Sequence, residues 1–291
     1  MPVYRGKIIF CEGDKTSLDY PLLGRIVDNQ VDNYTIVPAG GKFSFSNFIQ
    51  GYLSGSKSAN QQYLVFRDRD FDFEPTTKIQ LLELTNSRGN LLVFLTHRAC
   101  IENYLLDAEL IHDYWEEMYK KKQESDSKWG HKDSPGVATI SEWIETSAKN
   151  LQAYQAVRWA LGDLVRMSAA REHLKTTWTD NSGELPNSLE LQFCKSEALE
   201  LINQFRGNVE NIKPEIFEES LIKYQEKFDL EDFWKKEEYL TWFHGKDIQK
   251  EMQRQKNHYI SLASFFKWAI TKLDLDKHQD IKELQDKIKH L

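Results

Sequence analysis

The sequence predicts an α/β protein: an N-terminal parallel sheet flanked by helices, followed by a mostly α-helical C-terminal region. Three observations lead there. Up to about residue 100, short β-branched or aromatic runs alternate with longer amphipathic ones. Beyond it, apolar residues recur at helical spacing. All eight tryptophans, from Trp115 to Trp268, fall in that later stretch, so composition changes together with periodicity. The expected division is an α/β domain over 1–112 and a helical domain over 113–291, the latter serving partner docking, dimerisation or substrate positioning.

Four strands are expected, at Lys7 to Cys11, Tyr34 to Val37, Tyr63 to Phe66 and Leu91 to Leu95, each brief and bounded by turn residues. Between them, Leu18, Leu22, Leu23, Ile26 and Val27 form one helical stripe, and Phe45, Phe48, Ile49, Tyr52 and Leu53 a second. Ile79 and Leu82 mark a shorter third. Strands separated by helices imply crossover connections and a parallel sheet. The later stripes begin with Ile101, Tyr104, Leu105, Ile111, Trp115 and Met118 and end with Ile281, Leu284 and Ile288, whose spacing suits docking on a partner or within the bundle. Loops are expected at Lys120 to Gly136, which carries the most basic stretch (Lys120, Lys121, Lys122, Lys128, His131 and Lys132), and at Thr179 to Asn187.

Composition narrows the function classes. Asp and Glu outnumber Lys and Arg by 45 to 38, so a globally cationic nucleic-acid coat is excluded and any polyanion must meet a local site. Cys11, Cys100 and Cys194 are odd in number and widely spaced, without the CxxC pattern of zinc or redox pairs, which suits a reducing cytoplasm. No apolar run reaches the ~18 residues of a membrane span, and no secretory pattern is apparent, so a cytoplasmic protein without a membrane partner is expected.

In an open parallel sheet, ligands gather at the carboxyl ends of the strands. Here those ends are acidic. Glu12-Gly13 follows the first strand, Asp68-Arg69-Asp70-Phe71-Asp72 the third, and Glu102 lies shortly after the fourth. Crowded carboxylates raise one another's pKa and repel unless a cation compensates. A hard oxygen set without cysteine or paired histidines favours Mg²⁺ or Mn²⁺ over Zn²⁺, an arrangement suited to phosphoryl transfer. Gly40-Gly41-Lys42 offers backbone N–H groups and an ammonium to a phosphate, with a tight turn as the plainer reading. The GxxxxGK[ST] pattern of ATP-hydrolysing loops is absent. His97 and His244 are expected to be structural, and Asp14 and Asp72 to be solvated or to support the ligands.

Phe10-Cys11-Glu12-Gly13, together with Asp68-x-Asp70, resembles the TOPRIM fold of primases, topoisomerases and OLD-family nucleases. Val37 to Lys42, Phe66 to Phe71 and Arg98 to Leu106 are similar to TOPRIM-like effectors of bacterial phage defence, nearest to those of PARIS systems. The resemblance implies that Glu12 is the catalytic or metal-shaping glutamate, that Asp68 and Asp70 bind Mg²⁺, and that Glu102 is a further acidic ligand. It extends to Phe243-His244-Gly245-Lys246-Asp247, whose Gly-Lys-Asp step the family shares, which makes Lys246 a candidate cation for the transition-state phosphate once folding returns it to the acidic cleft. It also implies endonuclease activity on tRNA or DNA, toxicity in antiviral defence, and control by an ABC-type ATPase subunit. The resemblance leaves Asp19 without an assigned role. A catalytically silent TOPRIM-like interaction or sensor subunit is the competing expectation. A dehalogenase-type phosphatase or a DxD glycosyltransferase fits the acidic residues less well, and no tyrosine sits in a recognisable topoisomerase cleavage domain.

Overall fold

A computed structural model of the chain describes residues 6–28, 34–41, 45–54, 62–85, 92–125, 132–167, 191–210, 213–255 and 260–291. The α/β portion runs β1 (Lys7–Cys11), α1 (Asp19–Asp28), β2 (Tyr34–Pro38), α2 (Phe45–Ser54), β3 (Tyr63–Arg67), β4 (Leu82–Thr85) and β5 (Leu92–Leu95). The sheet order is β2-β1-β3-β5-β4. All pairings are parallel except β4 with β5. The fold is therefore α/β with a mostly parallel N-terminal sheet, as expected. The run containing Leu82 departs from the expected third helix: Leu82–Thr85 is an antiparallel edge strand, with Leu82 opposite Leu95 and Leu84 opposite Val93. Its two leucines follow a period of two, whereas Ile79 is exposed and belongs to no stripe.

The helical portion comprises α3 (Glu102–Leu105), α4 (Ala108–Glu124), α5 (Val137–Met167), α6 (Leu191–Glu210), α7 (Pro214–Asp229), α8 (Glu231–Lys235), α9 (Tyr239–Trp242), α10 (Gly245–Arg254), α11 (Leu262–Lys272) and α12 (Gln279–Lys289). Lys120, Lys121 and Lys122 continue α4 rather than opening a loop, because Lys121 pairs with Glu117 one turn earlier and two basic side chains complement the helix C-terminus. Lys128, His131 and the Thr179 to Asn187 loop lie outside the described residues. No described helix is long and apolar enough to cross a membrane.

Two compact units result, one formed by residues 1–151 with 234–291 and the other by 152–233. The expected division at 112/113 does not coincide with them, because the last helices return to the sheet. Arg25, on α1, donates to the carbonyls of Ile270 (2.7 Å) and Leu273 (2.8 Å), where α11 ends. Tyr34 Oη donates to Ile288 O at 2.8 Å, while Ile281, Leu284 and Ile288 are buried, so the terminal stripe docks within this unit. Asp280, buried at the start of α12, accepts from the His97 N–H (3.0 Å) and from the Tyr104 hydroxyl. In the second unit, Trp159, Tyr224, Phe228 and Phe233 form a chain of ring contacts 5.0–6.1 Å apart.

His278 stands edge-on to Tyr104, with ring centroids 5.1 Å apart. Burial and then Arg98 push its pKa down to about 4, against the opposing pull of Asp280, Asp107 and Asp274. The folded protein therefore binds fewer protons here than the unfolded chain between about pH 6.5 and 4. The contribution is whole above that window and is lost as pH falls through it. Relative to His278→Gln, the wild type is expected to lose about 1–2 kcal/mol more stability between pH 7 and pH 4. Urea unfolding at both pH values measures this difference, and equal losses would contradict the assignment.

Candidate metal centre

The chain leaves β1 for β2 on one side and later returns to β3 on the other, so the strand order reverses at β1/β3. Ligand crevices of open α/β sheets form at such a switch point. Cys11 is in register with Phe66, so the segments carrying Glu12 and Asp68 leave the sheet side by side. Gly13 and Gly40, both at positive φ (76° and 78°), exchange backbone hydrogen bonds of 2.8 and 3.0 Å, which holds the loop after β1 against the loop after β2. A Cβ on Gly13 would lie 2.1 Å from Ser17 Oγ, so both backbone angle and space call for glycine.

Glu12, Asp19, Gly41, Asp68, Asp70, Glu102 and Lys246 all line one cavity of about 450 Å³. The convergence expected from the sequence is thus present, with Lys246 and Gly41 included. Gly40 serves the turn, whereas Gly41 lies at the cavity wall, where an added Cβ would meet nothing within 4 Å. Lys42 lies outside the described residues.

Each candidate side chain has an identifiable support. Asp68, 5% exposed, accepts the Ile101 N–H at 3.0 Å through Oδ1, leaving Oδ2 3.9 Å from Lys246 Nζ. Asp70 has φ 51°, a left-handed conformation that Asp tolerates better than most residues, and its N–H donates to Ala99 O. Its carboxylate lies 3.3 Å from His244 Nε2, and the His244 ring stacks on Phe71. Glu102 follows six irregular residues after β5 and begins the short α3, with Oε1 3.6 Å from Lys246 Nζ. Asp72 forms a buried 2.8 Å ion pair with Arg67, and Asp14 closes an exposed turn by accepting from Thr16 N and Oγ1. Both stand apart from the cavity lining.

The charge balance within the cavity is uneven. Burial, then Asp19 and Glu102, raises the Asp68 pKa well above the usual carboxylate range. Asp19 is pushed up to about 7, by burial first and by Glu12 and Glu102 among its neighbours. Burial works against the Lys246 ammonium, but Glu102 and Asp68 outweigh it and hold its pKa above that of an ordinary lysine. Among the described residues, Asp19 Oδ1 and Glu102 Oε2 are buried without a hydrogen-bond partner. Such orphaned acceptors carry a desolvation cost that a cation would relieve, so this donor set fits a hard divalent ion.

Sequence reasoning left Asp19 open and missed Asn103, Cys100 and the His244 contact. Asn103 is fully buried and works as a clip: its Oδ1 accepts from Gly245 N (2.9 Å) and Cys100 N (3.1 Å), and its Nδ2 donates to Phe243 O (2.8 Å). A Cβ on Gly245 would come within 2.7 Å of Asn103 N, so glycine there lets Lys246 reach the carboxylates. The partners are too far apart in sequence for any local spacing to signal the clip. A scan against protein-family models finds no match for the chain, and a search of curated proteins finds none either.

Proposed function

We propose that this chain is an Mg²⁺- or Mn²⁺-dependent endonuclease that hydrolyses nucleic acid phosphodiesters. The observation that carries this reading is the placement of Glu12, Asp68, Asp70, Glu102 and Lys246 on one cavity at the switch point of the sheet. Glu12, Asp68, Asp70 and Glu102 are the residues that would hold the metal, with Asp19 beside them. A bound divalent ion supplies Lewis-acid polarisation of the phosphate and lowers the pKa of an attacking water.

The chain's own residues contribute the rest. Lys246 is half exposed, so its ammonium reaches both the carboxylates and an incoming phosphate, where it stabilises the charge of the transition state. Gly41 offers close backbone approach at the cavity wall. Phe266 and Ala263 contribute apolar surface to the lining, beside the polar Gln249 and Lys267. Action on tRNA or DNA, toxicity in antiphage defence and control by an ABC-type ATPase subunit belong to the same reading and rest on the motif resemblance.

Purified full-length protein offered DNA and total tRNA with Mg²⁺ or Mn²⁺ tests it. Cleavage is expected to need the metal and to fall at least ~100-fold in Glu12→Gln, the scale of losing one electrostatic stabiliser. Equal cleavage by both proteins would remove Glu12 from the chemistry. Inactivity of the wild type with every substrate would favour the silent interaction subunit.

A further inference from the structure

Directly behind two of the candidate hard-ion ligands lies a thiol. Cys100 is wholly buried, with Sγ 3.0 Å from Asn103 Oδ1 and 3.8 Å from His244 Nδ1. Its sulfur and one carboxylate oxygen each from Asp68 and Glu102 lie within 4.8 Å of one another. Ligand atoms around a tetrahedral zinc stand about 3.6 Å apart, by the usual Zn–S and Zn–O lengths, so small side-chain adjustments would close this trio on an ion. Glu102 supplies a second sign: it is 8% exposed, its Oε1 faces Lys246 at 3.6 Å, and among the described residues its Oε2 has no hydrogen-bond partner.

We propose that Asp68, Cys100 and Glu102 form a binding site for a thiophilic divalent cation of the Zn²⁺ class. Occupation of that site excludes the hard ion from carboxylates it also needs and so inhibits the enzyme, a consequence that rests on the function proposed above. The binding chemistry itself does not depend on that reading. A mixed set of one sulfur and two oxygens suits Zn²⁺ or Co²⁺, whereas Mg²⁺ gains nothing from a thiol. On binding, the Cys100 S–H bond breaks, a sulfur–metal bond forms, and the proton passes to solvent. Lys246, whose ammonium now pairs with both carboxylates, is half exposed and can swing outward to make room. His244 Nδ1 lies against the same sulfur and helps to orient it.

Cobalt makes the thiolate visible through its sulfur-to-metal charge-transfer absorption. Metal-free full-length protein titrated with Co²⁺ is expected to develop this band, one equivalent of Zn²⁺ to abolish it, and Cys100→Ser to lack it. Zn²⁺ affinity should fall at least ~100-fold in Cys100→Ser, as loss of a metal ligand should exceed loss of its supporting partner, while Mn²⁺ affinity changes less than ~3-fold. If Cys100→Ser does not fold, the Cys11→Ser/Cys194→Ser double variant decides, because Cys100 is then the sole thiol of the chain. Absence of the band in folded protein, or its persistence in Cys100→Ser, overturns the proposal. Mn²⁺ binding without the band would sink the thiol site alone. The band without Mn²⁺ binding would uphold the thiol site and sink the hard-ion reading.

Discussion

Asp68→Asn is expected to lower metal-dependent cleavage at least ~100-fold while raising the melting temperature of the metal-free protein. The two effects have one origin. Asp68 is buried, and burial, Asp19 and Glu102 all disfavour its charge, so the ionised form is present at a cost to stability. Asparagine removes that charge yet keeps an oxygen to accept the Ile101 N–H now bound at 3.0 Å. Glu102, 3.6 Å from Lys246, still holds the ammonium in place. Added Mg²⁺ should then stabilise the wild type and leave the variant nearly unmoved, because binding to the native state raises stability only where a site exists. Thermal melts with and without Mg²⁺, beside cleavage assays, read both effects. A variant that cleaves like the wild type, or melts lower than it in the absence of metal, contradicts this account of Asp68.

Arg69→Met should cost about 3–5 kcal/mol, since each of several buried carbonyls left without a donor costs about 1–3 kcal/mol. Arg69 is wholly buried between the two candidate ligands of the Asp68-x-Asp70 step, and its guanidinium ties the segment down through backbone carbonyls. Nε donates to His97 O (3.1 Å), Nη1 to Phe73 O (2.5 Å) and Asp70 O (3.3 Å), and Nη2 to Thr241 O (2.7 Å). Burial lowers its pKa to about 10, which still leaves it charged at neutral pH. Methionine fills much of the space but leaves those carbonyls without their donor. Lysine is a poor replacement as well, since a single ammonium cannot reproduce the planar fork. Urea unfolding measures the loss, and a change below ~1 kcal/mol would mean that the carbonyls find other partners.

What could be read from the sequence follows from the range over which each signal acts. The parallel strands announce themselves because buried strands are short apolar runs, and Glu12, Asp68 and Asp70 follow them at once, so a rule about strand ends finds these residues. Leu82–Thr85 was harder: four residues at a sheet edge carry almost no periodicity, and an isolated leucine spacing imitates a helical stripe. Lys246 could be singled out as a cation, but its position depends on Asn103 gripping Gly245, a contact between distant segments. Cys100 carries no signal of a place beside the carboxylates, because it lacks a second cysteine nearby and meets Asp68 and Glu102 only through the bend of residues 96–101. Asp19 looked like an ordinary acidic residue in the first turn of a helix, and only folding shows its carboxylate turned inward among others.

Crystals of the full chain soaked in Mn²⁺ provide the most direct measurement, read from the anomalous difference density of the metal. The account predicts a peak inside the cavity, in contact with carboxylate oxygens of Asp68 and Asp70 and within reach of Glu12, that disappears in Asp68→Asn crystals soaked in the same way. A cavity without anomalous density, beside well-ordered carboxylates and at Mn²⁺ concentrations that saturate ordinary Mn²⁺ nucleases, would contradict it.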